Sequence, residues 1–158
     1  MLAFMKRTSF AAMPCSVART LEVVGEWWSL LVLRDAFKGV RRFDDFQRSL
    51  GIARNILADR LQKLVEQGVL ERRMYQERPE RFEYRLTDKG RDLYPVIVAL
   101  MHWGDRWAAD EVGPPIVLTH RACGHDGLPV LTCPNCHEPV HARAMRWRPR
   151  EAEAAAPL

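Results

Sequence analysis

The strongest constraint on the fold is a change of hydrophobic periodicity near Gly68. Before this residue the apolar side chains recur at helical spacing, and after it they alternate with polar side chains as in strands. The ranges 69–75 and 81–86 are therefore predicted to be two strands of a hairpin, joined by the polar turn 76–80. A hairpin that follows a helix so closely leaves few possible topologies.

Helices are predicted on both sides of the hairpin. The helix just before it, 53–67, has an inner stripe of leucines and ends at Gly68, a residue type that suits a helix C-terminus. A fifth, long helix is expected to begin at Thr87 and to end before Gly113, and a short strand is possible at 41–43. The three earlier helices are predicted to run from Ser16 to just before Gly25, over 27–37 and over 44–50.

The order helix, helix, short helix, helix, hairpin, helix is that of a winged helix-turn-helix. The predicted fold class is therefore α+β, mainly α, with a long C-terminal helix and a small cysteine-rich β appendage. The alternative is a small α+β domain whose amphipathic helix simply has a solvated face. The hairpin directly after the fourth helix favours a DNA-binding domain.

The outer face of the fourth helix carries side chains suited to reading bases. Arg54, Asn55 and Ala58 lie away from the leucine stripe near the helix N-terminus, and arginine and asparagine make the bidentate contacts that recognise guanine and adenine. The hairpin arginines lie near its turn, from which a wing can reach phosphates or a minor groove. We predict double-stranded DNA as the partner, contacted by Arg42, Arg54, Asn55, Ala58, Arg60, Arg72, Arg78 and Arg81.

The excess of positive charge lies where these contacts are predicted. The chain of 158 residues has a net charge of +4 and a pI near 9.1. Residues 41–91 contain 13 Lys and Arg against 9 Asp and Glu, so this segment carries the whole excess. A local surplus suits a face that binds a polyanion, although an ordinary solvated surface gives the same count.

Several motifs occur in order over about 14–104. They are Cys15-Ser16-Val17-Ala18-Arg19-Thr20-Leu21, Gly25-Glu26-Trp27-Trp28, Leu31-Val32-Leu33-Arg34-Asp35, Gly39-Val40-Arg41-Arg42-Phe43, Leu57-Ala58-Asp59-Arg60-Leu61 with Leu64, Gly68-Val69-Leu70, Glu83-Tyr84 with Leu86-Thr87, and Gly90. Together they resemble the motifs of the HxlR-type regulators. This resemblance implies a homodimer whose interface uses the first and fifth helices, so that the long C-terminal helix is a dimerisation helix. It also implies regulation of nearby genes from a pseudo-palindromic operator, as a repressor or an activator, in a bacterial or archaeal cytoplasm.

The resemblance also draws attention to Cys15, because some HxlR-type proteins sense oxidants or electrophiles through a cysteine at the matching position. A thiol at a helix N-terminus near Arg19 can react as a thiolate, which makes Cys15 a redox-sensing candidate. The alternative is a small buried hydrophobic side chain. On the fifth helix, Trp103 and Trp107 offer aromatic surface either to a second protomer or to the same chain.

The C-terminal region contains a set of residues with metal-ligand spacing. His120-x2-Cys123 and Cys133-x2-Cys136 are two pairs with the same internal spacing, as in a zinc ribbon with a Cys3His site. Structural zinc is therefore the expected cofactor, with a redox dithiol and a metal-free hairpin as alternatives. A different fourth ligand could come from His125, His137 or His141. No internal repeat is evident in the sequence.

The predicted organisation is an N-terminal arm at 1–13, the winged helix domain at 14–112, the zinc-ribbon-like extension at 113–148 and a disordered tail at 149–158. No apolar run is long enough to cross a bilayer and no secretory signal is evident, so a cytoplasmic protein is expected. No nucleophile with a base and an orienting group can be named, so we do not predict an enzyme. The alternative function is a protein-interaction module without specific DNA binding.

Overall fold

The structure is a computed structural model that describes residues 9–10, 12–109, 111 and 113–148. The chain divides into two compact units, Met1–Glu111 and Val112–Leu158, and each is described by itself. The predicted tail at 149–158 lies outside the described residues, as does most of the predicted N-terminal arm. No helix in the described ranges is long and apolar enough to cross a membrane.

The first unit is mainly helical and contains one antiparallel hairpin, which confirms the predicted α+β class and the two-stranded wing. Most predicted boundaries lie within two residues of the observed ones. The elements are α1 (Ser16–Val24), α2 (Trp27–Phe37), α3 (Phe43–Leu50), α4 (Arg54–Glu66), β1 (Leu70–Glu77), β2 (Glu80–Leu86), α5 (Asp88–Arg91) and α6 (Tyr94–Trp107).

The core of this unit lies where α2, α3 and α4 meet the start of β1. The leucine stripe predicted for α4 is fully buried, because leucines at spacings of four and three share one helix face. Phe46 of α3 is also fully buried. The buried hydrophobic residues of this cluster are Val24, Val32, Leu33, Phe46, Ile52, Leu57, Leu61, Leu64, Val69 and Leu70.

The turn between α3 and α4 sets the angle of the helix-turn-helix. Gly51 adopts a left-handed conformation with a φ of 61°, and its N–H donates to the Gln47 carbonyl, which ends α3. Ile52 follows and is buried in the core, so the turn is fixed at a second point. The N-terminal end of α4 begins two residues later and projects from this packed corner.

The hairpin is tied to the segment that precedes α3. The N–H of Tyr84 in β2 donates to the carbonyl of Arg41 at 2.7 Å, and Arg42 forms an isolated bridge with Glu83. The short strand predicted at 41–43 is thus a single bridge residue, because α3 already begins at Phe43. A bulge in β1 between Met74 and Gln76 changes the register of the hairpin before its tip.

The prediction of one long fifth helix from Thr87 is wrong, since two helices, α5 and α6, lie in this range and α6 ends at Trp107. Thr87 caps α5 by accepting from the N–H of Gly90 at 3.1 Å, and the chain then turns before α6 starts at Tyr94. Pro95 explains the break, because proline has no N–H to donate and its ring clashes with the preceding turn of a continuous helix.

The second unit is formed from two small hairpin turns and one turn of 3-10 helix at Ala142–Ala144. The two turns are closed by isolated bridges between Thr119 and Asp126 and between Thr132 and Pro139. None of the side chains described between 113 and 148 is buried. This unit therefore has no hydrophobic core among its described residues.

Candidate nucleic-acid interface

The N-terminal end of α4 presents an exposed polar edge. Arg54, Asn55 and Ala58 are exposed, while Leu57 on the same turn is fully buried. Amphipathic spacing produces this arrangement, because residues one and two positions apart point to different sides of a helix. The end of the helix that a helix-turn-helix inserts into the major groove is thus open to solvent.

Arg54 is held in place by its neighbours on α3. Its guanidinium lies 4.7 Å from the centroid of the Phe43 ring, and Nη1 is 3.7 Å from Oδ1 of Asp44. The side chains of both ion-pair partners are more than 70% exposed, so the pair is weak and easily exchanged for a stronger acceptor. Stacking on Phe43 limits the rotamers of Arg54 and leaves its fork of donors free.

The C-terminal half of α4 is occupied by contacts within the helix. Lys63 Nζ lies 3.0 Å from a carboxylate oxygen of Asp59, and Gln62 donates to Glu66 at 2.9 Å. The Lys63–Asp59 pair balances two charges, and the Gln62–Glu66 hydrogen bond occupies two further polar side chains on the outer face of the helix. We therefore expect any contact of α4 with DNA to be concentrated at its first turn.

Arg60 differs from the other predicted contacts on α4. Its side chain is only 14% exposed, and Nη2 lies 3.6 Å from Glu26 and 3.4 Å from Asp59. The pair with Glu26 connects α4 to the residue before α2, while Asp59 lies on α4 itself, so the Arg60 side chain is engaged within the fold. We leave Arg60 out of the proposed DNA-binding face for this reason.

The wing arginines fall into two groups. Arg73 and Arg85 are paired with glutamates on their own strands, at 2.6 Å and 2.7 Å, and contribute little net charge. Arg78 and Arg81 are exposed and have no carboxylate partner within 4.0 Å among the described residues. The charge available at the tip is reduced by Glu77 and Glu80, which face each other across the hairpin.

Aromatic rings of the wing support two further arginines. Arg72 lies 3.5 Å from the centroid of Phe82, and Arg42 lies 4.6 Å from the centroid of Tyr75. No role was predicted for Tyr75 or Phe82, because the alternation of strand residues between two faces does not indicate which arginine each ring contacts. Arg42 is joined to the wing by this contact and by its bridge to Glu83.

Known proteins resemble this chain in sequence and in fold. The family model of the HxlR-like helix-turn-helix matches residues 23–112. The chain belongs to the HxlR-like helix-turn-helix family. An uncharacterized HTH-type transcriptional regulator of Mycobacterium tuberculosis, Rv3095, is 52% identical over 134 residues, which is 85% of each protein.

Two solved structures extend this comparison of the HxlR-like chain. PA1607, described as a transcription factor, is 41% identical with a TM-score of 0.79, and the match covers 89% of this chain and 99% of that one. The redox regulator HypR in its oxidized form is 32% identical with a TM-score of 0.54, over 58% of this chain and 96% of its own. The match to PA1607 leaves about a tenth of this chain uncovered, whereas the second unit makes up more than a quarter of it. Most of the second unit therefore lies within the match.

Cys15 of this HxlR-like protein occupies the N-cap position of α1. The residue is exposed, its backbone is extended, and its thiol makes no capping hydrogen bond. Its carbonyl accepts from the N–H of Arg19, as expected for the first turn of a helix. The predicted position at a helix N-terminus is therefore present, and the thiol is open to reagents.

The predicted metal ligands of the second unit lie in two separate pairs. Nδ1 of His120 is 3.2 Å from Sγ of Cys123. The pKa of the Cys133 thiol is lowered by hydrogen bonds with the backbone of Cys136 and of Asn135 and with the side chain of Cys136, and desolvation acts weakly against them. Within the described part of the chain, no group of three or more His, Cys, Asp or Glu side chains is placed to hold a metal ion.

Proposed function

We propose that this HxlR-like protein is a transcriptional regulator that binds an operator in double-stranded DNA as a homodimer. The observation that carries the proposal is the first turn of α4, where Arg54 and Asn55 are exposed beside a buried leucine stripe. The names of the matched relatives also favour a regulator over an enzyme. Work on a chromosomal operator would take place in the cytoplasm.

In this proposal α4 enters the major groove and the wing contacts the sugar-phosphate backbone. Arg54 would make a bidentate contact with guanine and Asn55 with adenine, while Ala58 allows close approach to the base edges. Arg78 and Arg81 would contact phosphate or an adjacent minor groove from the wing tip. Arg42 and Arg72, each stacked on an aromatic ring, would contact phosphates between these two regions.

The homodimer is supported by apolar side chains left exposed on α1 and α6. On α6 they recur at spacings of four, three and four residues, which places them along one helix face. Large exposed apolar surfaces of this kind mark protein interfaces. The side chains are Val17 and Leu21 of α1, and Val96, Leu100, Trp103 and Trp107 of α6, which are between 40% and 66% exposed.

A two-fold homodimer would place two α4 helices in successive major grooves, about 34–36 Å apart along the duplex. The operator would then be a pseudo-palindrome with half-sites about one helical turn apart. The test is footprinting of purified protein on the DNA upstream of its own coding sequence. Protection of a symmetric site, with affinity that falls steeply as salt rises, would support the proposal.

The alternative function, a protein-interaction module, predicts a different result in the same experiment. Such a module would bind operator and random DNA equally weakly, and neither Arg54→Ala nor Arg78→Ala would change the affinity at moderate salt. Specific proteins bind their sites about 10³- to 10⁷-fold more tightly than random DNA. Absence of any discrimination would therefore contradict the regulator.

An oxidant response through Cys15 is the second part of the proposal. The exposed thiol at the start of α1 and the likeness to a redox regulator support it. The Cys15 thiolate would attack a peroxide to give a sulfenic acid and release hydroxide. We expect peroxide to change operator affinity in the parent protein and in Cys136→Ser, but not in Cys15→Ser. An equal response in Cys15→Ser would show that the sensor lies elsewhere.

A further inference from the structure

The second unit contains a structural repeat of 13 residues. Three backbone hydrogen bonds close the first turn, with N–H groups donating from His120 to His125, from Gly124 to His120 and from Gly127 to Leu118, at 2.9, 2.7 and 2.9 Å. The second turn makes the same three bonds 13 positions later. They run from Cys133 to Glu138, from His137 to Cys133 and from Val140 to Leu131, at 2.9, 2.9 and 2.8 Å.

Backbone conformation follows the same repeat. Gly124 and His137 are equivalent positions, and both have a left-handed backbone, with φ values of 71° and 61°. His137 is also the only residue other than glycine with a positive φ in the described ranges. His137 thus takes the left-handed position that glycine fills in the first turn, so the backbone conformation repeats even where the residue type differs.

The repeat makes the metal-ligand pairs equivalent. His120 occupies the place of Cys133, and Cys123 occupies the place of Cys136. Each turn thus presents two ligand-type side chains three residues apart at the same point of the same backbone loop. Two such knuckles, one from each of two hairpins, are the usual building blocks of a four-coordinate zinc site.

The second unit has no hydrophobic core among its described residues, so a metal site there would contribute to its stability. None of the described side chains of the second unit is buried, although Val117, Val130 and Leu131 are apolar and 64–74% exposed. A unit of this size without a core requires a cross-link, a metal or a partner to become stable. The match to PA1607 over 89% of the chain indicates that a similar unit is present in that protein.

We propose that the second unit binds one zinc ion through the thiolates of Cys123, Cys133 and Cys136 and the imidazole of His120. Three thiolates and one imidazole suit tetrahedral zinc and disfavour magnesium or calcium, which prefer oxygen ligands. No three of these side chains are placed together to hold a metal ion in the described residues, so binding would have to bring the two pairs together. The repeat selects His120 over His125 and His137, since neither of these is equivalent to a cysteine.

The first test is the metal content of the full-length, untagged protein purified without chelator. We expect one zinc per chain by elemental analysis. After exchange with cobalt(II), we expect the d–d bands of a tetrahedral site and the near-ultraviolet charge-transfer bands of cobalt–thiolate bonds. Protein free of stoichiometric zinc that also gives no tetrahedral cobalt spectrum would overturn the proposal.

Variants test the ligand assignment. Cys133→Ser and Cys136→Ser should lose the metal, whereas Cys15→Ser and His125→Ala should keep one zinc per chain. His120→Cys completes the repeat with a fourth cysteine, so it should keep the metal and strengthen the cobalt–thiolate bands. Helical circular dichroism checks folding independently, because the α-helices of the described residues all lie in the first unit.

Three results would contradict this assignment. Retention of zinc in Cys133→Ser and Cys136→Ser would exclude the paired turns as the site. Loss of zinc in His125→Ala but not in His120→Ala would exclude the equivalence on which the choice of His120 rests. A disulfide between Cys133 and Cys136 in freshly purified protein, found by mass spectrometry without reductant, would replace zinc binding with dithiol chemistry.

Discussion

At the scale of single residues, Arg54 in the first turn of α4 is held in one orientation while its hydrogen-bond donors remain available. Arg54 stacks on Phe43 and makes only a weak, exposed ion pair with Asp44. Its donors can therefore exchange a solvated carboxylate for a base edge at little cost. Arg60 has the same charge but lies largely buried against Glu26, so the two arginines of one helix differ in how available their donors are.

Replacing Arg54 by alanine should weaken binding to the operator more than binding to random DNA. A lost bidentate contact costs about 1–3 kcal/mol, which is roughly a five- to 150-fold increase in Kd. Fluorescence anisotropy with both duplexes at one salt concentration measures the difference. Lys63→Ala is the matched control on the same helix, because Lys63 is paired with Asp59 and should change both affinities only slightly. Equal losses for the two variants would argue against base reading by Arg54.

At the scale of elements, sequence periodicity predicted the helices and the hairpin because their apolar residues reach one common core. The leucine stripe of α4 is buried as expected. The break between α5 and α6 was missed, since Leu93 at the N-cap of α6 and Ile97 within α6 continue the helical spacing across Pro95. The repeat in the second unit was missed although Val117-Leu118-Thr119 and Cys123 recur 13 residues later as Val130-Leu131-Thr132 and Cys136, because so short a match becomes a repeat only with the equivalent hydrogen bonds.

Gly90 of α5 belongs to the motifs of the family resemblance, but its role as a packing point was not predicted from the sequence. A Cβ built on Gly90 would lie 2.2 Å from the backbone carbonyl oxygen of Val69, at the turn where α4 gives way to β1. Thr87 secures the same turn by donating to the Gly68 carbonyl at 2.7 Å. The close approach of α5 to the start of the wing thus requires a residue without a side chain.

Gly90→Ala should lower the free energy of unfolding by about 1–3 kcal/mol, because the backbone of Val69 has to move to admit a methyl group. Chemical denaturation followed by helical circular dichroism measures this value. Gly127→Ala is the control, since a Cβ there meets no atom within 4 Å. A Gly90→Ala variant as stable as the parent would show that the turn is more compliant than its hydrogen bonds suggest.

At the scale of the whole molecule, the exposed apolar side chains of α1 and α6 are the surface proposed to form the homodimer interface. Leu100 and Trp103 are 51% and 64% exposed on one face of α6. Burial of such a face removes apolar area from water at about 25 cal/mol per Å². The proposed dimer is therefore supported by apolar side chains that are exposed in the single chain.

The double variant Leu100→Glu/Trp103→Glu should be a monomer, because four glutamates would face each other in a symmetric interface. Light scattering after gel filtration should give a mass near 18.3 kDa for it and twice that value for the parent. Trp147→Glu changes an exposed tryptophan of the second unit and should remain a dimer. The monomer should bind a half-site and lose the added affinity of a full operator. A dimeric double variant would place the interface elsewhere.

The bond between Tyr84 and Arg41 joins the wing to the start of α3, and Arg42 adds a second link through Glu83 and Tyr75. The wing is therefore held against the helix-turn-helix by these contacts as well as by the chain that connects them. In the proposed dimer, the contacts of α1 and α6 across the interface would set the distance between the two helix-turn-helix units. A small shift at that interface would move the second α4 out of register with its major groove, without any change in the side chains proposed to read bases.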